Sequence, residues 1–215
     1  MATTPAAVLG PYEAALGARV DELHPRLRRY FSAIPAGSIG VGHGVFSVFG
    51  AARGWLRPLL MPFERRRALA AGRGRDVPFR IVNRSVPLGD GTVAARAERV
   101  VELPCGPWTM VDSVVCVGSR VVDRIGAPWT MSALFDAEVR GGALRLTSRA
   151  VGLVCGRFRV RLPRGFSPVV RLSEAYDDAL GVQRVDLTVD APLVGRIYAY
   201  RGSFTYEIVP EAEHD

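Results

Sequence analysis

Apolar and polar residues alternate with a period of two along most of the chain from Asp76 to Val209. Such alternation is typical of β-strands that bury one face. Short turn signals, such as GDG at 89–91 and RGG at 140–142, separate the alternating segments. The pattern predicts strands at 39–49, 77–86, 92–103, 109–117, 120–126, 129–140, 143–152, 157–162, 168–176, 183–190 and 194–208.

These strands are separated by turns and not by helical patterns, so the connections needed for parallel pairing are missing and antiparallel pairing is expected. About ten strands with one apolar face each predict a mainly β fold, either a closed lipocalin-like barrel or a deep, strongly curved half barrel. The expected organisation is an N-terminal helical segment at 1–37, a barrel domain at 38–209 with a helical insertion near 51–70, and a tail at 210–215.

Two parts of the chain show helical spacing instead. Residues 11–33 are predicted to be helical, with Pro25 in a first turn. Within 51–70, five apolar residues recur at helical spacing, although Pro58 and Pro62 must kink or segment the helix. This second helix could pack over one end of the core, act as a lid over a cavity, or touch a membrane surface with Arg65–Arg67 on its polar side. The five apolar positions are Trp55, Leu56, Leu59, Leu60 and Phe63.

Alternation assigns an inner face to most strands and so predicts which side chains line the interior. One strand, 109–117, is ambiguous, because Trp108, Met110, Asp112, Val114 and Cys116 oppose an equally apolar set. The side chains expected to contact a bound molecule are Trp129, Met131, Phe135, Phe158, Tyr176, Tyr198 and Tyr200.

Three charged residues fall on otherwise apolar strand faces. Arg99 shares its face with Ala97 and Val101, and Asp123 and Glu174 are placed in the same way on their own strands. Burying such groups alone is costly, so they should meet one another or a ligand inside the barrel. A structural ion pair that closes the barrel is the alternative explanation.

Composition excludes several classes of function. All 28 basic residues are arginine and the net charge is +7, but most arginines alternate with apolar residues along strands, so nucleic-acid binding is not expected. The three cysteines and three histidines lack metal-ligand or disulfide spacing, so neither a metal nor a cofactor is expected. No apolar run is long enough for an integral membrane segment and no leader pattern opens the chain, which predicts a soluble, cytoplasmic protein.

The glycine-rich run GVGHGVFSVFG, residues 40–50, superficially suggests a dinucleotide-binding loop. Its third glycine is misplaced for that motif, and the residues that follow are β-branched and aromatic. The run is better interpreted as a strand that approaches another backbone or a ligand closely.

Several segments resemble a bacterial domain family of unknown function, whose members occur alone or fused behind saccharopine-dehydrogenase-like reductases. The resemblance covers about residues 40–208 and includes Arg99 and Asp123. Where the family has aromatic residues on both sides of that arginine, this chain has Ala97 and Val101. The segments are DRIG (123–126), GGALRL (141–146), GRFRVRLP (156–163), the glutamate of SEAY (173–176) and VDLTVDAPLVGRIYAYRGSF (185–204).

Together these features predict a barrel interior that binds a hydrophobic small molecule. The expected activity is that of a cofactor-independent cyclase or isomerase acting on a polyketide- or terpenoid-type intermediate. Glu174 or Asp123 would transfer protons, and Arg99 or a tyrosine hydroxyl would polarise a carbonyl. The alternatives are a non-catalytic binding or carrier protein, or an accessory partner of a reductase that uses the arginine-rich segment around 65–75; a homodimer is a further expectation.

Overall fold

The computed structural model describes residues 8–89, 91–155, 158–163 and 165–213. Two short helices precede the first strand: α1, Pro11–Leu16, and α2, Pro25–Phe31, with a 3₁₀ segment at Gly17–Glu22 between them. A third helix, α3, spans Arg57–Arg65 after a 3₁₀ turn at Gly54–Leu56. A last 3₁₀ turn, Glu211–Glu213, follows the final strand. In the described residues no helix has the length and apolarity to cross a membrane.

The rest of the described chain is mainly antiparallel strands, as the alternation predicts. Most bounds agree with the predicted segments to within a few residues. The strands are β1 Ser38–Ala51, β2 Arg73–Gly74, β3 Val77–Pro87, β4 Val93–Leu103, β5 Gly106–Val117, β6 Arg120–Ile125, β7 Met131–Arg140, β8 Ala143–Cys155, β9 Phe158–Arg161, β10 Val169–Asp177, β11 Val182–Ala191 and β12 Gly195–Pro210.

Ten of these strands form a closed ring. Strands β3 to β8 follow one another as hairpins, β10 to β12 do the same, and β1 lies between β12 and β3. The ring closes where β10 pairs with β8, from Arg171 opposite Thr147 to Glu174 opposite Leu144. The prediction of a mainly β, antiparallel barrel of about ten strands is therefore confirmed. The half-barrel alternative is wrong.

Strand β9 is the exception to the predicted barrel wall. It pairs with the end of β8, but β10 also pairs with β8 and takes the next place in the ring. Because β9 stands outside the ring, the alternation in this segment does not separate interior from solvent.

The glycine-rich run forms β1 and lies close to β12. A Cβ atom at Gly40 would be 1.5 Å from the Tyr206 hydroxyl oxygen, and one at Gly44 would be 2.3 Å from the Ser203 carbonyl oxygen. The missing side chains leave room for the aromatic residues of β12 to lie across β1. The close approach expected of this run is thus to a neighbouring strand.

Gly40→Ala should lower the free energy of unfolding by about 1–3 kcal/mol, because the added methyl group must displace the ring of Tyr206 in a packed interior. Urea unfolding followed by circular dichroism measures the change. Gly54→Ala is the matched control, since a Cβ at Gly54 meets no atom within 4 Å. Equal stability of the two variants would show that the gap above Gly40 can relax freely.

The N-terminal helices cover one end of the barrel. Leu16, Leu27 and Phe31 are buried in the same core cluster as the strand residues. The Glu13 carboxylate ties the two helices together, because its Oε2 accepts hydrogen bonds from the backbone N–H of Gly10 at 2.8 Å and of Ala33 at 3.0 Å. Helix α1 packs against β4–β7 and α2 against β10. The helical segment therefore caps the interior.

Helix α3 buries only part of its predicted apolar face. Leu56 and Leu60 are buried, whereas Trp55 and Leu59 are 59% and 61% exposed. The segment that follows is joined to the barrel, since the Arg67 carbonyl accepts a hydrogen bond from the Val111 N–H at 3.1 Å. The five apolar positions therefore do not form one buried face.

Candidate functional site

The barrel encloses a cavity of about 120 Å³. Apolar side chains from several strands form most of its wall, among them Met131, Phe135 and Val151. Tyr12 and Tyr30, from α1 and α2, lie at its capped end. An apolar, capped cavity of this kind is the usual setting for binding a small molecule.

An ion pair between two neighbouring strands lines part of this cavity. Arg99 on β4 donates a hydrogen bond from Nη1 to Oδ1 of Asp112 on β5. Both side chains line the cavity and are largely withdrawn from solvent, at 18% and 6% exposure. Burial raises the pKa of Asp112, and the guanidinium limits the rise. Burial disfavours the charge of Arg99, but the adjacent carboxylates outweigh this effect and raise the pKa of Arg99.

Asp123 on β6 lies beside this pair. It stands opposite Val114, two residues beyond Asp112 on the neighbouring strand, and it lines the same cavity. Its Oδ1 is buried without a hydrogen-bond partner. Burial and then the charge of Asp112 raise the pKa of Asp123 well above its ordinary value. Both effects favour the protonated form of Asp123, and its Oδ1 is available to a ligand.

Glu174 reaches the cavity from β10 on the other side of the ring. It is 6% exposed, and its Oε2 accepts a hydrogen bond from Nε2 of Gln183 on β11. Burial raises the pKa of Glu174 to about 7, against the opposing effects of Gln183 and Arg99. A carboxyl group with this pKa exchanges a proton readily near neutral pH, which suits a general base.

The cavity also holds tyrosine hydroxyls. Tyr198 is fully buried and its hydroxyl has no hydrogen-bond partner of good geometry. Burial raises the pKa of Tyr198 and of its neighbour Tyr200, so both remain neutral donors. Asn83 also lines the cavity, and its Nδ2 donates a hydrogen bond to the Tyr206 hydroxyl at 3.5 Å. The cavity-lining groups add polar atoms to a wall that is mostly apolar.

Seven of the ten sequence-predicted site residues line the cavity. They come from β4, β6, β7, β10 and β12, so the closed ring brings together strands that are distant in sequence. The seven are Arg99, Asp123, Met131, Phe135, Glu174, Tyr198 and Tyr200.

The other three lie elsewhere. Trp129 is 44% exposed, because it precedes β7 instead of belonging to that strand. The guanidinium carbon of Arg124 lies 4.4 Å from the centre of the Trp129 ring. Phe158 is 62% exposed on β9, outside the ring. Tyr176 stacks on His24 at 4.7 Å, near the N-terminal end of α2. The expectation that Trp129 and Phe158 point into the barrel is therefore corrected.

Several residues of the site were missed, although some of them had a signal in the sequence. Asp112 shares its face with Met110, which stands directly opposite Arg99. Recognising the tight turn between Leu103 and Gly106 would have fixed this register. Gln183 alternates in step with Val185 and so belongs to the inner face. Asn83 likewise alternates in step with Phe79 and Ile81. Tyr12 and Tyr30 had no comparable signal. Within the described part of the chain, no group of His, Cys, Asp and Glu side chains is arranged to hold a metal ion.

Residues 23–204 match a family described as a domain of unknown function, DUF4166. The chain belongs to the DUF4166 family. The match includes Arg99, Asp112, Asp123 and Glu174, and it begins after α1. A similar protein is the uncharacterized protein YndH of Bacillus subtilis (strain 168), with 23% identity over 190 residues, which is 86% of this chain and 91% of YndH. The association of DUF4166 domains with reductases stays a prediction.

Proposed function

We propose that the barrel binds a small, mostly apolar carbonyl compound and transfers a proton next to the carbonyl group, as a cofactor-independent isomerase. The observation that supports this most directly is the unpartnered carboxyl oxygen of Asp123, which borders the same apolar cavity as Glu174. Two carboxyl groups whose pKa values are both raised by burial, in different surroundings within one enclosed site, can divide the roles of general base and neutral acid.

In this proposal Glu174 acts as the base. Its carboxylate removes a proton from the carbon next to the carbonyl, and the electron pair of that C–H bond moves to form an enolate. Neutral Asp123 donates a hydrogen bond to the oxygen on which the negative charge develops. If the substrate is a β,γ-unsaturated ketone, the intermediate is a dienolate and Glu174 returns the proton to the γ-carbon. The C=C bond thereby moves into conjugation with the carbonyl group, and no atom is gained or lost.

The ion pair of Arg99 and Asp112 supports both groups. Burial and then the negative charge of Asp112 raise the pKa of Asp123 and so favour its protonated form. The positive charge of Arg99 lowers the energy of ionised Glu174 and of a developing enolate. Arg99 or a tyrosine hydroxyl was expected to polarise the carbonyl. Nη1 of Arg99 is bonded to Asp112, whereas Oδ1 of Asp123 has no partner, so we assign this contact to Asp123.

The cavity size favours isomerisation over cyclisation. A cavity of about 120 Å³ accommodates a molecule of roughly benzene size. Folding a long polyketide or terpenoid chain would need more room, which requires the capping helices α1 and α2 to move. A compact ring ketone or enone fits without such movement.

Deuterium exchange into cyclohexanone in D₂O, followed by mass spectrometry, tests the proton transfer without knowledge of the natural substrate. The wild-type protein should accelerate exchange, with a rate that rises through a pKa of about 7 as Glu174 ionises. Glu174→Gln should reduce the enzyme-dependent rate by at least about 100-fold, since general-base catalysis contributes that much. Ligand-observed NMR should show that this variant still binds cyclohexanone.

Asp123→Asn is the companion variant, because an amide donates a weaker hydrogen bond to an enolate than a carboxylic acid does. It should slow exchange and leave the pH profile set by Glu174 in place. Saturable binding without exchange would overturn the isomerase proposal and favour the carrier protein, which the apolar cavity also suits. Absence of both binding and exchange would contradict either function.

A further inference from the structure

Helix α3 and the turn before it carry apolar side chains that point away from the barrel. Trp55, Leu59 and Met61 are 59%, 61% and 40% exposed, and Pro58 and Pro62 are exposed as well. Leu56 and Leu60 hold the segment to the core from its inner side. An exposed tryptophan and two exposed long aliphatic side chains, close together in the sequence, are costly in water unless another apolar phase covers them.

Arginines precede, separate and follow these exposed apolar residues in the sequence. Residues 53–67, called the α3 patch, contain five arginines and one carboxylate. That carboxylate, Glu64, is used internally, because its Oε1 accepts hydrogen bonds from the N–H of Ala71 at 2.9 Å and of Gly72 at 3.4 Å. Across the described residues, no ion pair engages any of the five. The arginines are Arg53, Arg57, Arg65, Arg66 and Arg67, all of them exposed.

We propose that the α3 patch docks the protein on the surface of an anionic lipid bilayer. The helix would lie in the plane of the interface, with Trp55, Leu59 and Met61 among the acyl chains and the arginines at the phosphate level. Tryptophan prefers this boundary, and each basic residue near a negatively charged leaflet adds electrostatic attraction. The patch thus combines the two signals that stable peripheral binding requires.

Charge also distinguishes a membrane from a second copy of the chain. A two-fold dimer through the α3 patch would place the same surface on both sides and bring ten arginines together at one interface. Like charges facing each other in this way oppose association. An anionic bilayer instead supplies the opposite charge and the apolar phase at once.

The position of the patch connects it to the cavity. The chain continues from α3 to Ala68 and Leu69, and both of these residues line the cavity. A bilayer contacting α3 would therefore lie next to the part of the wall that these two residues form. The docking proposal itself does not depend on any activity in the cavity.

Vesicle flotation with the full chain tests the proposal. The protein should float with vesicles of phosphatidylcholine and phosphatidylglycerol at low salt, less in about 1 M salt because screening weakens the attraction, and not with pure phosphatidylcholine. Trp55→Ala combined with Leu59→Ser should reduce the partition coefficient roughly tenfold or more, as expected for losing the inserted side chains. Arg65→Gln combined with Arg66→Gln should make binding weaker and less sensitive to salt, because two of the five arginines are lost.

Matched variants at other positions distinguish docking through the α3 patch from non-specific binding to vesicles. Leu180→Ser removes an apolar side chain that is 65% exposed in a distant turn, and Arg80→Gln with Arg145→Gln removes two exposed arginines from the barrel strands. Both should float like the wild type, and circular dichroism should show that all variants are folded. Equal losses in these controls, or no flotation of the wild type, would overturn the proposal. Dimerisation in sedimentation velocity that Trp55→Ala abolishes would assign the patch to a second copy instead.

Discussion

Replacing Arg99 with methionine should lower the free energy of unfolding by about 3–5 kcal/mol, because it leaves the Asp112 carboxylate buried without its partner. The Asp112 side chain is 6% exposed, and Arg99 is both its hydrogen-bond donor and its counter-ion. Urea unfolding at pH 7 measures the loss. Because protonating Asp112 relieves the unpaired charge, the deficit should shrink as the pH falls.

The double variant Arg99→Met with Asp112→Leu separates the ion pair from simple packing. Removing both charges restores an apolar wall, so this variant should regain most of the lost stability. Arg80→Met is the exposed control and should change stability by less than about 0.5 kcal/mol. A double variant no more stable than Arg99→Met would show that the arginine stabilises the barrel by filling space and not by pairing with Asp112.

The stability of the protein should contain a contribution from Glu174 that is lost as the pH rises from about 4.5 to about 7. The pKa of Glu174 is about 7 in the folded protein and ordinarily 4.5, so between these values the folded state holds a proton that the unfolded state has released. The contribution is complete below pH 4.5 and absent above pH 7. The shift corresponds to about 3 kcal/mol.

Comparing the wild type with Glu174→Gln isolates this contribution, since glutamine does not titrate and can still bond Gln183. The difference in unfolding free energy between the two proteins should change by about 3 kcal/mol between pH 4.5 and pH 8, with the wild type losing stability relative to the variant. Glu207→Gln, on an exposed part of β12, should follow the wild-type profile. Parallel curves for the wild type and Glu174→Gln would mean that Glu174 does not exchange its proton in this range.

The period-two pattern predicted the barrel and the three charged residues because one physical constraint governs both. A strand in a closed ring has one side towards the interior, so Arg99, Asp123 and Glu174 had to share the side of their apolar neighbours. The same alternation predicted that Tyr198 and Tyr200 lie on the inner side of β12, where they line the cavity. The inner faces of all the strands meet in the interior of a barrel, so the inner face of each strand was enough to identify these residues.

Alternation did not predict the positions of residues that lie outside the ring. Phe158 alternates properly but lies on β9, which stands beside the barrel, and Trp129 lies just before β7. Tyr12 and Tyr30 reach the cavity through the docking of short helices, which depends on tertiary contacts that helical periodicity does not encode. Asp112 was left undecided because both faces of β5 are apolar. The structure shows why: the outer residue Val111 is covered by the segment after α3.

The four buried ionisable side chains are not held in position equally firmly. Arg99, Asp112 and Asp123 come from consecutive hairpins and stay neighbours whenever those hairpins are intact. Glu174 joins them across the β8–β10 seam on one side and through β11, β12, β1 and β3 on the other. The seam has four residue pairs, the shortest pairing in the ring. If that seam opens, Glu174 stays attached only along the longer path, and the four side chains are no longer held at one fixed separation.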